Sequence, residues 1–252
     1  MPFLNHGGLR LHYRHAGSGP LVILLPGNTA SSTHFEREIN HLSAACHVAS
    51  LDFRGTGQSD RLDQFDQEWP VQSAGDVAAL IEHFDQEQAV LIGTSGGAMV
   101  ALLCAIHHSE RVKAVIADSF VPHWSVEMLQ ACAAGRRLDD EPGAQFWSAG
   151  HGDDWRSVVE NDTRWLLSVA ANGGLDITPE LSQIRCPVLL TGSLSDSLLL
   201  DIVSQSAAAV EALPDGELYL CREGDHPLIW SAPDRFWPVC DAFLNRAASK
   251  ID

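Results

Sequence analysis

The sequence predicts an α/β protein built on a doubly wound, mostly parallel sheet. Apolar runs of strand length alternate with longer segments of helical spacing along most of the chain. The middle runs are apolar throughout, as strands buried on both faces of a parallel sheet must be. Residues 9–15 instead alternate with period two after the turn at Gly7-Gly8, which suggests an early hairpin strand. An eightfold α/β barrel also fits 252 residues, but eight similar βα units are not visible and the hairpin argues against it.

After the hairpin strand come LVILL (21–25), HVASLD (47–52), AVLIG (89–93), VKAVIAD (112–118), CPVLLTG (186–192) and ELYLC (217–221). Between them, 73–84 places Val77, Leu80, Ile81 and Phe84 on one helical face. Gly96–His107 is small at its start and apolar after it, and 234–247 carries Phe236, Trp237, Cys240, Phe243 and Leu244 at helical spacing. Residues 119–180 break the rhythm. They show no clear strand, hold four of the seven tryptophans (Trp124, Trp147, Trp155, Trp165), and are interrupted by Gly135, Pro142-Gly143, Gly150 and Gly173-Gly174. This stretch reads as a mostly helical insertion after the sixth strand, between core segments 1–118 and 181–252. Most of its aromatics are expected to form the small core that an insertion of this size needs.

Composition narrows the function. Apolar residues are 45% and charged residues 19%, ordinary globular usage that excludes disorder and collagen-like repeats. No apolar run approaches the ~20 residues that span a bilayer. The start, MPFLNHGGLRLHYRH, has neither a continuous apolar segment nor a small-residue cleavage site, so a cytoplasmic location is expected. Sixteen Lys and Arg against 33 Asp and Glu give a net charge of −17. A field of that sign repels phosphate backbones and acidic lipid, leaving a small-molecule substrate as the expected partner rather than nucleic acid or membrane. The six cysteines (Cys46, Cys104, Cys132, Cys186, Cys221, Cys240) are spread widely, with no CxxC pair and no zinc-like spacing, and read as buried hydrophobes.

Gly93-Thr94-Ser95-Gly96-Gly97 fits G-x-S-x-G, directly after the strand AVLI and before the helix AMVALLCAI. A sharp strand-to-helix turn there exposes Ser95 as a nucleophile at a helix N-terminus, where developing negative charge is favoured. Such a serine needs a base, an orienting acid and an oxyanion site. His226, in EGDHPLIW after the last strand, is the expected base. Asp196, in TGSLSD after CPVLL, is the expected acid, with Asp118 as a rival and Asp201 a weaker one. The oxyanion donors are expected to be the N–H groups of Gly96, after the nucleophile, and Asn28, in the loop Pro26-Gly27-Asn28-Thr29.

These residues carry a family resemblance over nearly the whole chain. Together with G-T-S-G-G, the segment LDFRGTGQSD resembles the α/β-hydrolase loop D-x-R-G-x-G-x-S (Asp52, Arg54, Gly55, Gly57, Ser59), and GDHPLIWSAPDRF resembles its G-H…P-x-x-F ending (His226, Pro233, Phe236). The resemblance implies an eight-stranded sheet with a cap over the site, and a structural role for Arg54 and its glycines. Departures are visible too. Pro26-Gly27 stands where the family usually has His-Gly, and Asp196 lies one residue beyond the usual acid position, which is Ser195 here. Within the family the N-terminal half resembles proline iminopeptidases and valacyclovir-hydrolase-like esterases. Gly96 stands where the former have Trp and the latter Asp, so specificity for N-terminal proline or amino-acid esters is not supported there. Asn28 is similar to a haloalkane dehalogenase feature, but Ser95-Gly96 excludes that Asp-nucleophile reading.

The expected function is a cofactor-free and metal-free serine hydrolase, a monomer or homodimer, acting on a small ester or related acyl compound with an apolar acyl or aromatic group. The same fold also serves cofactor-free lyases or oxygenases, C–C hydrolases and small-molecule receptors with little turnover. Trp124, Phe146, Trp147, Trp165, Met99 and Leu228 are the expected pocket walls.

Overall fold

The chain opens as a hairpin, β1 (Phe3–His6) and β2 (Leu9–Ala16), paired antiparallel across the Gly7-Gly8 turn. Then follow β3 (Leu21–Leu25), a 3-10 turn over Ser32–Phe35, α1 (Glu36–Leu42), β4 (His47–Leu51) and α2 (Trp69–His83). Next come β5 (Ala89–Thr94), α3 (Gly96–His107) and β6 (Val112–Asp118). An inserted segment carries β7 (His123–Trp124), α4 (Val126–Gly135), α5 (Glu141–His151), α6 (Trp155–Ala171) and β8 (Leu175–Asp176). The chain then returns to the main sheet with β9 (Val188–Ser193), α7 (Ile202–Ala212), β10 (Gly216–Cys221), α8 (Leu228–Ser231) and α9 (Pro233–Ser249). This computed structural model describes residues 2–199 and 201–249, with side chains through residue 247.

One eight-stranded sheet runs in the order β1-β2-β4-β3-β5-β6-β9-β10. The pairs from β4 through β10 are parallel, and only the hairpin end is antiparallel. The apolar runs are continuous because each residue of a central strand meets a helix layer, whichever way it points. On β3, Leu21, Ile23 and Leu25 face a layer containing Val77, Leu80 and Ile81 of α2 together with the α3 helix. Val22 and Leu24 face Ile39 and Leu42 of α1 and Phe236, Cys240 and Phe243 of α9. All five β3 residues are buried. Period-two alternation is therefore lost from the sequence although it is present in space.

The elements depart from the sequence reading at α2 and in the insertion. α2 begins at Trp69 rather than at 73, because Pro70 falls in the first turn, where its missing N–H is not needed. The insertion does contain strands: β7 and β8 pair antiparallel (His123 with Asp176, Trp124 with Leu175). Two residues are too few to show alternation. The aromatics of the insertion also divide. Trp147 and Trp155 stack at 5.6 Å in a small cluster of their own with Val159. Trp124 and Trp165 instead join the main core, with Trp165 5.6 Å from Trp69.

Candidate active site

The parallel strands end together at one edge of the sheet, and the loops that follow them carry the expected site residues. Ser95 lies between the last residue of β5 and the first of α3, with φ 53° and ψ −122°. That conformation is strained for any residue with a Cβ, so its surroundings must over-determine it. They do. The Ser95 N–H donates to the Asp118 carbonyl at 2.8 Å, and the Ser95 carbonyl accepts from Ala98 and Met99 of the opening helix turn. A side chain at Gly93 would strike the Gly97 carbonyl, so only glycine lets strand and helix come this close.

His226 and Asp196 meet from two different loops. His226 Nδ1 lies 2.9 Å from Asp196 Oδ2. Asp196 Oδ1 accepts from the N–H groups of Leu198 and Leu199, at 2.9 and 3.0 Å. Its carboxylate is fully buried, and the His226 ring is 10% exposed. Because a carboxylate that is ionised only accepts, this contact orients the ring with Nδ1–H toward Asp196 and turns Nε2 away from it. The two loops are tied to each other: Asp225 Oδ1 accepts from the N–H of Ser197 and from that of His226, both at 2.8 Å.

The rival carboxylates sit elsewhere. Asp118 is fully buried beneath the site. It accepts from Thr191 Oγ1 at 2.7 Å, Thr94 Oγ1 at 3.1 Å and the Ile229 N–H at 3.1 Å, with no hydrogen bond to His226. Burial pushes its carboxyl up to about 6, the hydrogen bonds and the His226 charge opposing. Ser119 Oγ accepts from the Leu228 N–H at 2.8 Å, so the end of β6 anchors the far side of the His226 loop. Asp201 stands at the start of α7 in a left-handed conformation and makes no capping bond.

Asn28 follows β3 in a turn closed by the Ala30 N–H on the Gly27 carbonyl at 3.0 Å. A Cβ at Gly96 would run into the Asn28 carboxamide oxygen and lie 3.2 Å from the Asn28 nitrogen. The two residues are thus neighbours, with Gly96 in the first turn of α3, where helical N–H groups lack intrahelical partners. Asn28 Nδ2 donates to Asp162 Oδ1 on α6 at 2.7 Å, and Arg136 at the end of α4 is paired with Asp162 Oδ2.

Ser95, His226 and Asn28 line one cavity of about 420 Å³ beneath the inserted helices. Of the expected walls, Trp124, Phe146 and Trp147 line it. Trp165, Met99 and Leu228 do not: each is 2% exposed or less, in the packed layers behind the lining. Met128, Leu129, Leu166 and Trp230 line it in their stead, together with Arg136. A signal for the Arg136–Asp162 pair exists in the sequence. Asp162 falls on the apolar face of α6, in the same stripe as Val158, Trp165, Leu166 and Val169, where a lone carboxylate demands a partner. Among the described residues no cluster of His, Cys, Asp and Glu has the makings of a metal site. Nor is any described helix long and apolar enough to cross a membrane.

Comparison with known proteins agrees with this architecture. A family model described as the alpha/beta hydrolase fold matches residues 20–141. The 2-(acetamidomethylene)succinate hydrolase of Mesorhizobium japonicum is 28% identical over 245 residues, covering 87% of this chain and 86% of that protein. Among solved structures, E-2-(acetamidomethylene)succinate hydrolase superposes with a TM-score of 0.76 at 24% identity, covering 97% of this chain and 100% of that one. The enol-lactonase from Burkholderia xenovorans superposes with a TM-score of 0.75 at 20% identity, covering 97% and 100%. These relatives are hydrolases by name. With its sheet order, its strand-to-helix turn at Ser95 and these likenesses, the chain has the α/β-hydrolase fold.

Proposed function

We propose that this protein is a serine hydrolase that cleaves a small carboxylic ester, or a related acyl compound, through an acyl-enzyme on Ser95. The observation that carries the reading is the 2.9 Å pair of His226 and Asp196, with His226 lining the same cavity as a strained Ser95.

In this reading the Ser95 hydroxyl attacks the acyl carbonyl while His226 Nε2 takes its proton. Asp196 holds the tautomer with Nδ1 protonated and stabilises the imidazolium that forms. The N–H groups of Gly96 and Asn28 receive the negative charge that develops on the carbonyl oxygen. The tetrahedral intermediate collapses, the imidazolium protonates the leaving alcohol, and the acyl group remains on Ser95. His226 then takes a proton from water, which attacks the acyl-enzyme, and the acid departs with Ser95 restored.

The inserted segment acts as a cap whose chemistry sets the substrate class. Trp124, Phe146, Trp147, Met128 and Leu129 give the cavity apolar walls suited to an aromatic or branched acyl group. Turnover of p-nitrophenyl esters by wild type and Ser95→Ala tests the reading. Ser95→Ala is expected to lower kcat by about 10⁴-fold or more with the fold intact. Undiminished turnover in that variant overturns it.

A further inference from the structure

The turn that carries Asn28 is gripped by the inserted segment at three points. Asn28 Nδ2 donates to Asp162 Oδ1 at 2.7 Å. The Thr29 carbonyl accepts from His151 Nε2 at 2.9 Å, and the Thr29 hydroxyl accepts from Trp147 Nε1 at 3.1 Å. The partners are buried: Asp162 is 1%, His151 2% and Trp147 8% exposed. Arg136 fixes the second oxygen of Asp162. The proton on His151 is also fixed. The Gly57 N–H donates to His151 Nδ1 at 2.9 Å, and because an N–H only donates, the ring hydrogen sits on Nε2, toward Thr29.

Thr29 needs this grip. It occupies the third position of the turn closed by Ala30 on Gly27, with φ 59°. A turn with positive φ only at that position is of type II and takes glycine or asparagine there, whereas a β-branched residue is a steric outlier. Released, Thr29 relaxes toward negative φ, which rotates the peptide joining it to Asn28. The indole and imidazole contacts hold Thr29 by its hydroxyl and by its carbonyl.

We propose that Trp147, His151 and Asp162 are positioning residues for the oxyanion loop. They hold the Asn28 and Thr29 turn in the conformation that aims the Asn28 N–H at the developing oxyanion. The inserted segment is then a working part of the site as well as a roof over the substrate. The proposal rests on the oxyanion role given to Asn28 above.

The test measures kcat and KM for a p-nitrophenyl ester in wild type, S95A, W147F, the double variant W147F/T29G, and D162L. Phenylalanine at 147 keeps a ring beside Trp155 and removes the indole donor together with part of the ring's volume. In W147F, kcat falls about tenfold or more, the scale of a small misplacement of a reacting group, whatever change in KM follows from the smaller cavity wall. T29G then restores most of the lost kcat, because glycine adopts positive φ without help. D162L lowers kcat in the same way. If D162L does not fold, the W147F pair decides alone. Failure of T29G to restore kcat, or an effect of W147F confined to KM or stability, overturns the proposal while Ser95-dependent turnover stands. Absence of Ser95-dependent turnover in wild type overturns the hydrolase reading, and this proposal with it.

Discussion

His226 Nδ1 and Asp196 Oδ2 face each other at 2.9 Å, although their loops follow different strands and lie thirty positions apart. Asp118, the other carboxylate at the end of a strand in this region, is saturated by Thr94, Thr191 and the Ile229 N–H. The division of labour follows from those partners. One carboxylate addresses the imidazole, and the other addresses the backbone that carries it.

Replacing each carboxylate by its amide separates the two roles. Asp196→Asn presents a donor to His226 Nδ1, favours the wrong tautomer, and is expected to lower kcat by about 10⁴-fold. Asp118→Asn leaves the His226 contact in place and is expected to lower kcat far less. Equal losses in the two variants, measured on one ester, contradict the assignment.

Asp118 also makes stability depend on pH. Burial raises its carboxyl from 3.8 to about 6, so between those values the folded chain binds more protons than the unfolded one. Its contribution to stability is therefore greatest below 3.8, falls as pH rises through that window, and is fully lost above about 6. The size of the change is on the order of 3 kcal/mol. Wild type is expected to gain stability relative to Asp118→Asn as the pH is lowered from about 8 to about 4.5, followed by chemical denaturation at each pH.

His151 has the opposite sign. Burial holds its imidazole below the usual value of 6.5, with Arg61 and His34 acting in the same direction, and the Thr29 hydrogen bond and Asp52 opposing. Its stabilising contacts are complete above 6.5 and are lost as pH falls through the lowered value, because protonating Nδ1 removes the acceptor for Gly57. His151→Gln is expected to weaken the acid-side fall in melting temperature. A fall as steep as that of wild type contradicts the assignment.

Gly96→Ala tests the closeness of Gly96 and Asn28, the two proposed oxyanion donors. The added methyl would meet the Asn28 carboxamide oxygen, displacing one loop or the other. A loss in kcat of about 10²–10³-fold is expected, the scale of one misplaced oxyanion donor. A value of kcat within twofold of wild type would show that the loops do not act together.

Much of this was legible in the sequence because strand termini and chemistry coincide. The apolar strands predicted the parallel sheet, and Ser95, Asp196 and His226 each follow such a strand within a few residues. The inserted segment was less legible. Trp165 and Met99 carry the same residue chemistry as Trp124 and Met128; all four join the main core, and only packing direction brings the second pair to the cavity wall as well. The loop position of Asn28 marks it as an expected oxyanion donor but says nothing of what holds its side chain. Its tie to Asp162 spans 134 positions, and no local pattern encodes a contact of that range.

The proposed chemistry requires that Ser95 be an activated nucleophile. The most direct measurement is the intact mass of the protein after exposure to a fluorophosphonate probe, for wild type and Ser95→Ala. A single adduct on wild type and none on the variant is the predicted result. A folded wild-type protein that takes no adduct while it hydrolyses esters, or an adduct that persists in Ser95→Ala, would contradict it.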